Sequence, residues 1–174
     1  TRNDFIHFYQ LIDVLIIDGF SNHDWKHTTY VVKTILEKSS LFKVSVSTAP
    51  SDHGGNEWET WKPQFENFDV VLQNTNNIHN TKIKWPRHVE QSLESYMRSG
   101  GSLYILHSAN NAFSHWEEYN LMIGLGWRSK EEGVAIQITK DKLVVEVPIG
   151  EAKDTYHGPR NDEVIQSSQA VINT

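Results

Sequence analysis

The sequence predicts a three-layer α/β domain, a mainly parallel sheet doubly wound with helices. Short apolar runs rich in branched residues recur at 13–20, 68–75 and 102–108, a strand-like alternation fills 42–48, and segments of helical spacing stand between them. Strands that alternate with helices pair in parallel through crossovers, and right-handed crossovers lay helices on both faces of the sheet.

The first strand is "DVLIIDGF" (13–20), stopped by Asp18-Gly19. A helix follows over 23–40, where Tyr30, Val31, Ile35 and Leu36 recur at helical spacing and Ser21 or Asn22 can cap the start. "FKVSVST" (42–48) alternates as a strand should, and 49–63 is a turn-rich loop with one helical turn and an aromatic end. "FDVVLQNT" (68–75) is the third strand, and 76–86 is a polar loop beyond it. The helix 87–101 has Pro86 near its start, Val89, Leu93, Tyr96 and Met97 on one face, and Gly100-Gly101 as its stop. "SLYILHS" (102–108) is the fourth strand. Beyond it, 113–126 reads as helix, while 134–139 and 143–148 alternate like an antiparallel pair. The stretch 150–174 is polar and turn-rich, with only "EVI" (163–165) resembling a strand. No linker, internal repeat or low-complexity tract interrupts the chain, so one domain is expected over 1–174.

The net charge of −6 over 174 residues excludes a protein that tracks nucleic-acid phosphates and a polybasic membrane anchor, since both need clustered Lys and Arg. No apolar run approaches the roughly 20 residues of a membrane helix, and the first twenty residues carry no signal pattern. With no cysteine, disulfides, thiolate metal sites and cysteine nucleophiles are excluded. The absence of cysteine and of an initiating Met makes an extracytoplasmic location the expectation over a cytoplasmic one. Six tryptophans and nine histidines suit a polar organic ligand such as a sugar. The expected partner is therefore a small-molecule carbohydrate, with neither nucleic acid nor membrane, and self-association is left open.

Ligands of doubly wound sheets bind beyond the carboxyl ends of the strands, near the point where strand order reverses. The loops after Asp18, Leu72 and Leu106 are the ones to inspect. "DGFSNHDWKH" (18–27) places His23 and Asp24 at the start of a helix, whose free N–H groups suit an anionic or hydroxyl-rich ligand. His23 and His27 also stand at a spacing that can hold one divalent metal, although Asp24 replaces the Glu of the zinc-protease pattern. The plainer alternative is that Asp24 caps the helix and both histidines are solvated.

"LHSANNAFSHW" (106–116) delivers His107 and Ser108 at a strand end. An imidazole there suits acid–base work near neutrality. Neighbours on an extended chain point opposite ways, so His107 is poorly placed to activate Ser108, and the Gly-x-Ser-x-Gly spacing of a nucleophile elbow is missing. The alternative is a histidine bonded to backbone, with Asn110 and Asn111 as turn residues. "DTYHGPRNDE" (154–163) offers His157 either as part of a lid or in a solvated loop. Trp58, Trp61 and Trp85 either stack on sugar rings or simply pack.

"VLIIDGFSNHDW" (14–25) followed by Thr28-Thr29, "GGSLYILHSANNAFSHWEEYNLMIGLGWR" (100–128) and "HGPRND" (157–162) together resemble the ThuA-like family, named for trehalose utilisation. The resemblance implies the flavodoxin-like sheet of the class I glutamine amidotransferases. In those relatives a cysteine nucleophile occupies the turn that is His107-Ser108-Ala109-Asn110 here, so glutaminase chemistry is excluded. It further implies a role in carbohydrate use, including keto-sugars or disaccharides. The family's persistent residues fall on His23, Asp24, His107, Ser108, Trp116, Arg128 and His157. Family members usually continue with a His-Pro and an acidic Asp-Glu-Leu-Tyr segment, absent before Thr174, so a shortened C-terminal part is expected.

Combined, these readings assign His107, His23 and Asp24 to acid–base chemistry or metal ligation, and Ser108, Asn110, Trp116, Arg128 and His157 to substrate contact. A divalent metal is an optional cofactor that would need at least three ligands. The competing reading is a non-catalytic sugar-binding or protein-interaction module on the same fold.

Overall fold

The computed structural model describes residues 10–139 and 141–151, and the backbone of 167–169. The elements are β1 (Ile12–Asp18), α1 (Trp25–Lys38), β2 (Phe42–Thr48), α2 (Asn56–Thr60), β3 (Val70–Gln73), α3 (Arg87–Arg98), β4 (Ser102–Ile105), α4 (Glu117–Ile123), β5 (Ala135–Ile138), β6 (Val144–Val147) and β7 (Ser167–Gln169).

β1 to β4 form one parallel sheet in the order β2-β1-β3-β4. The register pairs Asp18 with Thr48, Ile17 with Gln73 and Gln73 with Ile105, so the carboxyl ends form one rim. The chain moves outward from β1 to β2 and then returns to the other side of β1. Ligands of such sheets bind at that reversal, here between the loops after β1 and β3.

The apolar run of β1 is buried on both faces because successive side chains point to opposite sides. Val14 and Ile16 join Val44 and Leu72 under Val32 and Leu36 of α1. Leu15 and Ile17 join Val71 under Val89, Leu93 and Tyr96 of α3, in a core extended by Phe65, Trp85, Phe113, Trp116 and Tyr119. Each such side chain contributes about 1.5–3 kcal/mol when removed from water. On α1 the expected face is partly shifted. Leu36 packs inward, but Tyr30 and Ile35 are exposed.

Asp24, rather than Ser21 or Asn22, caps α1. Its carboxylate accepts the His27 N–H at 3.1 Å, so the helix begins at Trp25. Two glycines have steric work to do. Gly19 turns the chain at the end of β1 with φ +129°, where a Cβ would press on the backbone of Ala49. At Gly101 a Cβ would collide with the Tyr96 ring, whose hydroxyl accepts the Ser102 N–H and steers the chain into β4.

β4 ends at Ile105, earlier than its pattern suggests, because residues His107–Asn111 coil into a short 3-10 turn. The expected antiparallel pair is present as β5 and β6, and β7 joins it in a separate sheet of order β6-β5-β7. The expected "EVI" fragment lies outside the described residues. Among the described residues, no helix is long and apolar enough to cross a membrane.

Candidate functional site

Two loops present histidines at the carboxyl rim. After β1 the chain turns at Gly19, and the Ser21 hydroxyl accepts the N–H of His23. The His23 carbonyl then accepts the Trp25 N–H, and Asp24 caps the helix, so the backbone on both sides of His23 is fixed. After β4, Leu106 donates its N–H to Gln73, and its own carbonyl accepts from Ala109. Between these bonds His107 takes φ +46°, a left-handed conformation uncommon outside glycine. The His23 and His107 rings stand with centroids 4.9 Å apart, tilted by 46°, and both side chains are exposed.

What holds these loops together is the run that ends β3. Gln73, Asn74, Thr75, Asn76 and Asn77 are all buried. Asn76 donates from its amide nitrogen to Asn22 Oδ1 at 3.1 Å and to the Ser108 carbonyl at 2.6 Å. Its backbone N–H reaches the Phe20 carbonyl, and its Oδ1 accepts from Ile78. One side chain therefore fastens the His23 loop to the His107 loop. Asn77 adds a second tie by accepting the Phe113 N–H. The sequence places Gln73, Asn74 and Thr75 at the end of the third strand and Asn76 and Asn77 in a polar loop, with no role for any of them. The available signal was the density of side-chain amides at the end of an apolar strand, where buried polar groups must find partners.

Beneath the His23 loop lies Asp18, 2 % exposed at the end of β1. Its Oδ2 accepts from Thr29, whose hydroxyl in turn accepts from Asn74. Burial pushes this carboxyl above the usual range, and hydrogen bonding from Thr48 and Thr29 only partly opposes that. Oδ1 has no hydrogen bond of ordinary length, although Thr48 is near enough to favour the charged form. Asp18 thus braces the base of the loop and does not face solvent.

The other expected residues separate. Asp24 is occupied as a helix cap, which accounts for it without a role in proton transfer. Ser108 and Asn110 stand in the 3-10 turn, and each lends its carbonyl to the scaffold, to Asn76 and Arg128 respectively. The turn also removes the extended backbone on which the separation of His107 from Ser108 was expected. Among the described residues, even so, no hydrogen bond joins the His107 ring to Ser108.

Trp116 does not offer a sugar platform. It is 3 % exposed, stacked on Tyr119, and its indole N–H donates to the buried carboxylate of Glu94 at 3.0 Å. Arg128 does not reach for substrate either. Its guanidinium donates through Nε and both terminal nitrogens to Asn120 Oδ1 and to the carbonyls of Asn110, Ala112 and Trp127, which uses all of its N–H groups. His157 lies outside the described residues. Among the described residues, no three histidine, aspartate or glutamate side chains converge as a metal site, so the His23/His27 spacing gains no third ligand there.

The strand order and the loops at its carboxyl rim define a flavodoxin-like α/β protein with a polar, histidine-bearing rim. No family profile and no curated protein matches the chain. Among solved structures, a protein described as ThuA-like from Parabacteroides merdae matches with a TM-score of 0.68 and 29% identity, over 79% of this chain and 47% of that one. The chain thus spans about half the length of that protein. The match supports a ThuA-like family assignment.

Proposed function

We propose that the chain acts on a carbohydrate, with His23 and His107 as an acid–base pair at a sugar carbonyl. On a keto-glycoside, one imidazole takes the proton from the carbon between the ketone and the anomeric centre. The electrons of that C–H bond form a carbon–carbon double bond, the glycosidic C–O bond breaks, and the departing oxygen takes a proton from the other imidazole. The products are an enone and a free alcohol, and the histidines have exchanged protonation states, which solvent resets. Acid–base assistance of this kind contributes about 10²–10⁴-fold.

The observation that carries this reading is the 4.9 Å approach of two exposed imidazoles at the sheet's ligand-binding rim. Supporting it are the left-handed backbone of His107 and the Asn76 clamp. Trp58, Trp85 and Trp116 are committed to the core and offer no free face to a ligand. Turnover of a 3-keto-glucoside by the full chain, followed through the enone absorbance, tests it. Activity lost in His107→Ala supports the reading, and wild-type turnover in that variant removes His107 from the mechanism.

A further inference from the structure

A cleft of about 340 Å³ opens between the loop after β3 and residues 127–132. Asn111, on its wall, is the last residue of the turn that His107 begins. The volume lies at the small end of the range for ligand pockets, about 300–1,000 Å³, which suits one sugar-sized group.

The lining mixes polar groups with Ile78 and Trp127, and its charged residues are two cations, Arg128 and Lys130, against one acid, Glu132. Arg128 is 6 % exposed, and every acceptor it uses is neutral: the Asn120 amide oxygen and three backbone carbonyls. Glu132, on the same wall, acts on Arg128 electrostatically and has a carboxylate oxygen engaged by the Ser129 N–H. A buried cation with no carboxylate bonded to it leaves a positive potential that water screens poorly. Arg128 has no N–H left for a ligand, but Lys130 on the same wall does. Among the described residues its ammonium is held only by Glu131, at 4.0 Å. The Asn111 amide and the hydroxyls of Thr81, Ser114 and Ser129 also line the cleft, and their side chains make no hydrogen bonds among the described residues.

We propose that this cleft binds the carboxylate-bearing part of a hydroxylated ligand, an acidic sugar, with the carboxylate on Lys130 in the field of Arg128 and the ring hydroxyls on the free amide and hydroxyls. The ligand class rests on the carbohydrate reading above, and the cleft supplies the charge selection that the histidine pair does not.

Isothermal titration of the full chain at low salt, with glucuronate, glucose and acetate as probes, tests this. Glucuronate is expected to bind at least tenfold more tightly than glucose or acetate. Lys130→Glu should weaken it a further tenfold or more at an unchanged melting temperature, and Lys130→Arg should retain it. Equal binding of glucose and glucuronate overturns the proposal. So does glucuronate binding that Lys130→Glu leaves intact, because the ligand then sits elsewhere. Either failure leaves the histidine chemistry standing if 3-keto-glucoside turnover depends on His107. Selective glucuronate binding without any such turnover sinks the acid–base reading and keeps the cleft.

Discussion

The imidazoles of His23 and His107 come from loops after β1 and β4, strands that do not touch, yet their ring centroids are 4.9 Å apart. β3 lies between the two strands, and Asn76 from the loop after β3 bonds to both histidine-bearing segments. The pair is therefore a product of sheet order. Its spacing depends on a residue that itself need not touch substrate.

Asn76→Asp should break that dependence with little change in volume. The variant loses the amide donor to Asn22 and to the Ser108 carbonyl, leaving the half-buried Ser108 carbonyl unpaired at a cost of about 1–3 kcal/mol. Urea denaturation should show that loss, and turnover should fall with it. Unchanged stability and activity would mean that the two loops hold their positions without the clamp.

Asp18 supplies a pH test with a defined sign. Burial raises its folded-state carboxyl, so the protonated form favours folding. Its contribution is complete below the unfolded value of about 3.9 and is lost as pH rises through the folded one. Asp18→Asn, permanently neutral, should gain stability relative to the parent between pH 3.5 and pH 7. Urea midpoints at both pH values measure it, and a relative loss over that interval would show that hydrogen bonding outweighs burial.

Trp116→Phe separates packing from ligand contact. It keeps most of the stacking on Tyr119 but removes the indole donor to Glu94, a hydrogen bond to a charged group that contributes about 1.5–3 kcal/mol. Thermal unfolding should register the loss while sugar affinity in calorimetry stays the same. A selective fall in affinity would return Trp116 to the binding surface.

Arg128→Ala should destabilise the chain by about 3 kcal/mol, because the carbonyls of Asn110, Ala112 and Trp127 lose their common donor. Arg128→Lys should recover only part of this, since an ammonium cannot span the fork of acceptors. Denaturant midpoints for the two variants, compared with the parent, measure the difference.

The parallel sheet was legible in the sequence because β1 and β3 are buried on both faces and therefore read as unbroken apolar runs. The meeting of His23 and His107 followed from the rule that ligand loops share one rim of such a sheet. The turn at His107 was not legible, since "YILHS" continues a strand pattern and a histidine's modest preference for the left-handed region does not override it. Trp116 and Arg128 were read as substrate contacts because a resemblance marks which residues persist without saying why. In this chain Trp116 is the donor to a buried carboxylate and Arg128 the tie for a loop of carbonyls. Asn76 was hidden for a related reason, since an amide in a polar stretch looks solvated until three loops close over it.

The most direct measurement of the central claim is a double-mutant cycle on 3-keto-glucoside turnover with His23→Ala, His107→Ala and the double variant. Two groups that act as one unit lose their effect together. Each single variant should therefore fall by about 10²-fold or more, and the double variant should be little worse than the weaker single one. Multiplicative losses, or either single variant turning over at the parent rate, would contradict the claim that His23 and His107 work as a pair.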